Sequence, residues 1–160
     1  MDELNDAMPS GLSRADRSIT EALSKYTLLL DRTGRAYALP KQEANATALA
    51  IQSTAFKKRL RKDAHNRGDL LRQDDLSLIL DDLNAHAAIQ DEPVDIYLRV
   101  APSMAGGIEI DLGTPDRARV RLHGGTATVI ESDSQTLFYR SETMRSLPIP
   151  AQEGDWQLLL

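Results

Sequence analysis

The sequence predicts an α+β fold: an antiparallel β-meander packed against two amphipathic helices, with a further helix and a hairpin at the N-terminus. Three observations carry this. Residues 53–66 and 75–89 repeat apolar side chains at helical spacing. From Val94 onward the period changes to two, as in VDIYLRV, IEIDL and RARVRL. Short Gly-containing connections then join these alternating segments, so neighbours are expected to pair antiparallel.

The balance of 41% hydrophobic and 27% charged residues in 160 suits one folded domain, expected over 11–150. Aromatics are only 4%, so the core must be built mainly from Leu, Ile, Val and Ala. With no cysteine, disulfides, thiolate metal sites and cysteine nucleophiles are excluded together. No apolar run approaches the roughly 20 residues that span a bilayer, and the acidic start MDELNDAMPSG has no signal-peptide layout. A cytoplasmic location without membrane contact is expected.

Residues 1–10 read as a disordered leader. A helix over about 13–25 follows, with Leu12, Ala15, Ile19, Ala22 and Leu23 on one stripe and Ser13 or Ser18 as its cap. Tyr26–Asp31, the turn Arg32-Thr33-Gly34 and Arg35–Leu39 form a hairpin that Pro40 ends, and residues 47–52 form a third strand. The 53–66 helix takes Ser53 as N-cap, buries Phe56, Leu60 and Ala64, and stops near Gly68. The 75–89 helix takes Asp74 as cap and buries Leu76, Ile79, Leu80, Leu83 and Ala87.

Residues 126–131 and 136–140 are expected to complete the meander, in which Ile108, Ile110 and Leu112 face inward, as do Ala118, Val120 and Leu122. Arg117, Arg119 and Arg121 then face outward, across from Glu109 and Asp111, with which they can form cross-strand ion pairs. Residues 151–160, which contain Trp156 and Leu158–Leu160, read as a linker or docking tail toward a further domain.

The search for chemistry finds neither GxxxxGK[ST] nor GxGxxG, and no serine in a GxSxG context. No cofactor is expected. Gly106-Gly107 and Gly124-Gly125 lie between strands and read as hairpin turns. Asp82 and His86 sit at i, i+4 and read as a helical ion pair. Asp95, Glu109 and Asp111 are the best candidates for a two-metal phosphoesterase centre, although the polar outer face of a sheet looks the same. The surface left over is basic. Lys57, Lys58, Arg61, Lys62 and His65 lie opposite the Phe56–Leu60–Ala64 stripe, and Arg67 follows. Such a stripe suits phosphate oxygens, while an ordinary solvated helix face is the competing reading.

Several short patterns then fall in a familiar order: Ser53-x-x-Phe56-Lys57-x-x-Leu60, Ile96-x-Leu98-Arg99-Val100-Ala101, Ile108-x-Ile110-Asp111-Leu112-Gly113, Phe138-x-Arg140 and Leu147-Pro148-x-Pro150. Residues 53–150 thereby resemble the region preceding the ATPase domain in large helicase- or primase-like P-loop ATP-binding proteins of phages and integrative elements. Thr126 stands where that family usually has Trp after the hairpin Gly. The resemblance implies a non-catalytic accessory module that binds DNA or a partner subunit beside an ATPase. A purely structural or self-associating domain is the alternative.

Overall fold

A computed structural model describes residues 11–43, 46–89, 92–130 and 135–150. The leader expected at 1–10 and the tail expected at 151–160 lie outside the described residues. The architecture is mixed α+β, with an antiparallel meander and amphipathic helices.

The first helix, α1 (Arg14–Lys25), starts where Ser13 and Asp16 exchange hydrogen bonds, Asp16 N–H to Ser13 Oγ at 3.1 Å and Ser13 N–H to the Asp16 carboxylate at 3.0 Å. That reciprocal pair satisfies two donors left free at a helix start. The hairpin β1 (Tyr26–Leu30) and β2 (Ala36–Pro40) follows in antiparallel register. Asp31 builds its turn, with one carboxylate oxygen accepting from Thr33 N–H at 2.8 Å, Thr33 Oγ1 at 2.6 Å and Arg35 N–H at 2.9 Å. Only Leu49–Ala50 of the expected third strand forms β3 beside β2.

Helix α2 (Thr54–Asn66) is capped by the Ser53 hydroxyl, which accepts from Phe56 N–H at 3.2 Å. It ends in a left-handed Gly68 (φ 81°), with Gly68 N–H on His65 O at 2.9 Å and Asp69 N–H on Ala64 O at 2.9 Å. This is the two-bond glycine closure that satisfies the last carbonyls of a helix. Helix α3 (Gln73–Ala88) begins earlier than expected. Its N-cap is Arg72, whose N–H donates to the Asp75 carboxylate at 2.9 Å, so Asp74 lies inside the first turn rather than capping it.

Helix α1 packs on α3, α3 lies across β1 and β2, and α2 meets α1 and β3. Phe56, Ile79, Leu83, Ala38 and Ile51 are fully buried between them, and Tyr26 meets Phe56 edge-on at 5.4 Å between ring centroids.

The second half holds β4 (Ile96–Tyr97), β5 (Val100–Pro102), β6 (Ile108–Asp111), β7 (Arg119–His123), β8 (Thr126–Ile130) and β9 (Leu137–Phe138). Strands β5 to β8 form the antiparallel meander in sequence order. Two expectations are revised here. The segment 94–100 is not one strand, because a bend at Leu98 and Arg99 separates β4 from β5. The segment 136–140 does not extend the meander, because β9 pairs parallel with β4. Parallel pairing needs a long connection, and β4 and β9 have the whole meander between them.

The orientation of the meander also differs from expectation. Glu109, Asp111 and Arg119 are 2%, 0% and 1% exposed, whereas Ile108 and Val100 are 40% and 51% exposed. Leu112 and Val120 are buried as expected. The charged face turns inward because partners wait there: the Phe138 ring lies 4.9 Å from the Arg119 guanidinium carbon, and the Thr136 and Ala46 carbonyls accept from it at 3.0 and 3.4 Å.

Candidate nucleic-acid interface

The basic face belongs to α2. At 100° per residue, Lys57, Arg61, His65, Lys58 and Lys62 span an arc of about 140°. The opposite stripe of Phe56, Leu60 and Ala64 is buried, which fixes the helix rotation and leaves Lys58, Arg61, Lys62 and His65 exposed, with Lys57 half-buried. The nearest acid on the helix, Asp63, is turned away and lies 3.2 Å from the Lys25 ammonium. Arg59, also off the arc, meets Glu43 at 3.6 Å. Arg61 donates to the Gln73 side-chain oxygen at 3.2 Å, so the acidic first turn of α3 borders the patch at that end. Among the described residues no carboxylate pairs with Lys57, Lys58 or Lys62.

Arg67 stands apart from these four. Its guanidinium donates to Ser18 Oγ at 2.8 Å, pairs with Glu21 on α1, and lies 3.5 Å from Asp69. Asp69 also receives Arg17 at 2.7 Å. A hydrogen bond from Arg17 holds the Asp69 carboxyl below the usual carboxylate range. The structure thus brings Lys57, Lys58, Arg61 and Lys62 onto one face and places Arg67 in the α1–α2 junction.

The second concentration of charge is the inner face of the meander. Arg121 meets Glu109 at 2.9 Å, the cross-strand pair expected from sequence. Glu109 also accepts from Ser103 Oγ at 2.8 Å. Asp111 lies opposite Arg119 in register and is held by Arg140 at 2.7 and 2.8 Å. Burial pushes the Asp111 carboxyl up, but the hydrogen bonds from Arg140 and Gly113 N–H outweigh it and hold the group below its ordinary value. Burial pulls the Arg119 guanidinium down, against the opposing pull of Asp111 and Glu109.

The carboxylates considered for a metal do not converge. Asp95 is exposed and paired with Arg32 at 2.7 Å, whereas Glu109 and Asp111 are held by Arg121 and Arg140. Among the described residues no three His, Cys, Asp or Glu side chains are grouped to hold a metal ion. His86 and Asp82 lie 3.3 Å apart on α3, the expected i, i+4 pair.

Sequence reasoning missed Arg140 as a partner of Asp111. Its only signal was its place in Phe138-x-Arg140, at the end of a segment expected to be an outer strand. Among the described residues no helix is long and apolar enough to cross a membrane. In comparisons with known proteins, no family model matches the chain, and no curated protein or solved structure matches it.

Proposed function

We propose that this chain is a non-catalytic accessory domain that contacts DNA through the exposed face of α2. Lys57, Lys58, Arg61 and Lys62 address phosphate oxygens, and Arg67 fixes the helix from behind. The observation that carries the reading is the segregation of charge on α2. Four cations share one arc, while the single acid of the helix is turned aside and neutralised by Lys25. A solvated face with no binding role has no need to exclude acids in this way, and i, i+4 acid–base pairs would stabilise it better.

Phosphate contact requires no base reading, which agrees with a face that offers lysines and one arginine and no aromatic platform. The sequence resemblance adds the context: a cytoplasmic module acting beside the P-loop ATPase of a mobile element.

The test is a mobility-shift titration against salt. Binding is expected at low salt, with log K falling linearly in log salt as counterions are released. Lys58→Glu with Arg61→Glu is expected to abolish it. Undetectable binding at low salt, or binding indifferent to that double change, overturns the reading.

A further inference from the structure

Strand β8 is the last strand of the four-stranded sheet and leaves one edge open. The other sheet edges are short or met by neighbours. β5 has three residues and ends in Pro102, and β3, β4 and β9 have two each. The end of β1 is met by Val94, whose N–H donates to Leu30 O at 2.9 Å. β8 has five residues, TATVI, with no charge and no proline, and all but Ala127 are β-branched. Folded proteins ordinarily blunt such an edge with charge, proline, a bulge or a covering segment. In β8 the residues from Thr126 to Val129 are exposed, Val129 at 44%.

The register of the sheet fixes which backbone groups are open. Leu112 N–H donates to Ala118 O at 3.1 Å, so Val120 and Leu122, in step with Ala118, turn their backbone groups toward β6. Arg119, Arg121 and His123 turn theirs toward β8, where Ile130, Thr128 and Thr126 lie opposite them. The N–H and C=O groups of Ala127 and Val129 therefore point away from β7, and among the described residues no hydrogen bond reaches them. An open groove of about 800 Å³ runs beside the strand, lined by β8 with Val120, Ile149 and Pro150.

We propose that β8 pairs antiparallel with β8 of a second copy of this chain, about a two-fold axis at Thr128. The strand is complementary to itself in that register. Ala127 lies opposite the partner's Val129, so the two residues with open backbone groups bond each other, and the two-fold repeats the pair on the far side of the axis. Thr128 lies opposite the partner's Thr128, a favourable cross-strand pair, and Thr126 lies opposite the partner's Ile130. No like charges meet along the strand. Val129 already continues the row of Val120, and Ala127 that of Leu122. Pairing joins the first row to the partner's Ala127 and Leu122 and the second to the partner's Val129 and Val120, which covers the half-exposed Val129 with apolar side chains. The pairing uses no residue of α2, so dimerisation and DNA binding are separable in one preparation.

The test is sedimentation velocity of the full chain over a range of concentrations. The expected result is a mass of two chains at high concentration that falls to one on dilution. Val129→Pro removes an N–H that β7 does not use, and Thr128→Lys sets like charges across the axis; each is expected to weaken dimerisation several-fold while circular dichroism stays constant. Because either variant can fail to fold, the register is also read by cross-linking. The chain has no cysteine, so Thr128→Cys introduces a single thiol. Across the axis its Cα lies about 4.5 Å from its mate, within the span of a disulfide. Thr126→Cys, on the same exposed strand, lies about 14 Å further along from its own mate. Mild oxidation is expected to link Thr128→Cys into dimers several-fold faster than Thr126→Cys. A chain that stays monomeric at millimolar concentration overturns the proposal, and so do equal cross-linking rates at the two positions. Slow hydrogen exchange of the Ala127 and Val129 amides in the dilute monomer also overturns it, because the edge would then be covered by the chain itself.

Discussion

The Arg140 guanidinium grips the Asp111 carboxylate with two hydrogen bonds of 2.8 and 2.7 Å, joining the segment after β9 to the end of β6, the second strand of the four-stranded sheet. Asp111 is fully buried and Arg140 is mostly so. Removing one member of such a pair strands the other charge away from water, which costs more than the pair itself contributes. Arg140→Met is therefore expected to lower unfolding free energy by about 3–5 kcal/mol, read from urea denaturation. Adding Asp111→Ala to it should cost less than the sum of the two single changes, since the second removes the charge that the first left unpaired.

The same geometry sets a pH dependence. The folded-state carboxyls of Asp111 and Asp31 both lie below their ordinary value. In each, burial acts upward and is outweighed, by Arg140 and Gly113 N–H for Asp111, and by Thr33 and Arg35 for Asp31. A carboxyl depressed on folding binds its proton more readily in the unfolded chain. Its contribution is complete above the unfolded value of about 3.9 and is lost as pH falls through the folded value. Urea midpoints measured from neutrality downward should hold until the carboxylate range and then fall. Asp31→Asn should begin from a lower midpoint at neutrality and lose less on acidification.

What the sequence made legible was local. Ser13 and Ser53 mark helix starts, Gly68 marks a stop, and the Phe56–Leu60–Ala64 stripe fixes the rotation of α2, so the basic arc could be drawn before the fold was known. The inner face of the meander could not. Alternation in IEIDL and RARVRL separates two faces but does not say which one turns inward. Hydrophobicity favours Ile108 and Ile110. The opposite outcome depends on Arg140, Thr136 and Phe138, which come from a segment whose parallel pairing with β4 no short-range pattern announces. Arg67 failed to join the basic face for a similar reason: Glu21 and Ser18 lie on α1, brought there only by the packing of α1 against α2.

Two glycines with left-handed backbones separate conformational cost from crowding. Gly107 (φ 76°) lies so close to the Leu122 carbonyl oxygen that an added Cβ would overlap it, whereas Gly124 (φ 56°) faces open space. Gly124→Ala should cost about 1–2 kcal/mol, the ordinary penalty for a side chain in this region. Gly107→Ala should cost clearly more, because the β6–β7 backbones must part to admit it. Thermal melts of the two variants give the ranking, and equal losses would contradict the close approach.

Arg67 and Lys58 are both cations of the α2 region, and they should fail in different assays. Lys58 has no acidic partner among the described residues, so Lys58→Ala should leave the urea midpoint nearly unchanged. If the DNA reading holds, it should also reduce the slope of log K against log salt by about one. Arg67 joins Ser18, Glu21 and Asp69. Arg67→Ala should therefore destabilise the α1–α2 junction, by about 1–3 kcal/mol for groups left without a partner. Once the protein is folded at low temperature, the salt slope of this variant should match that of the unaltered chain. A lowered slope in Arg67→Ala with an unchanged midpoint would place that guanidinium on the DNA instead of behind the helix.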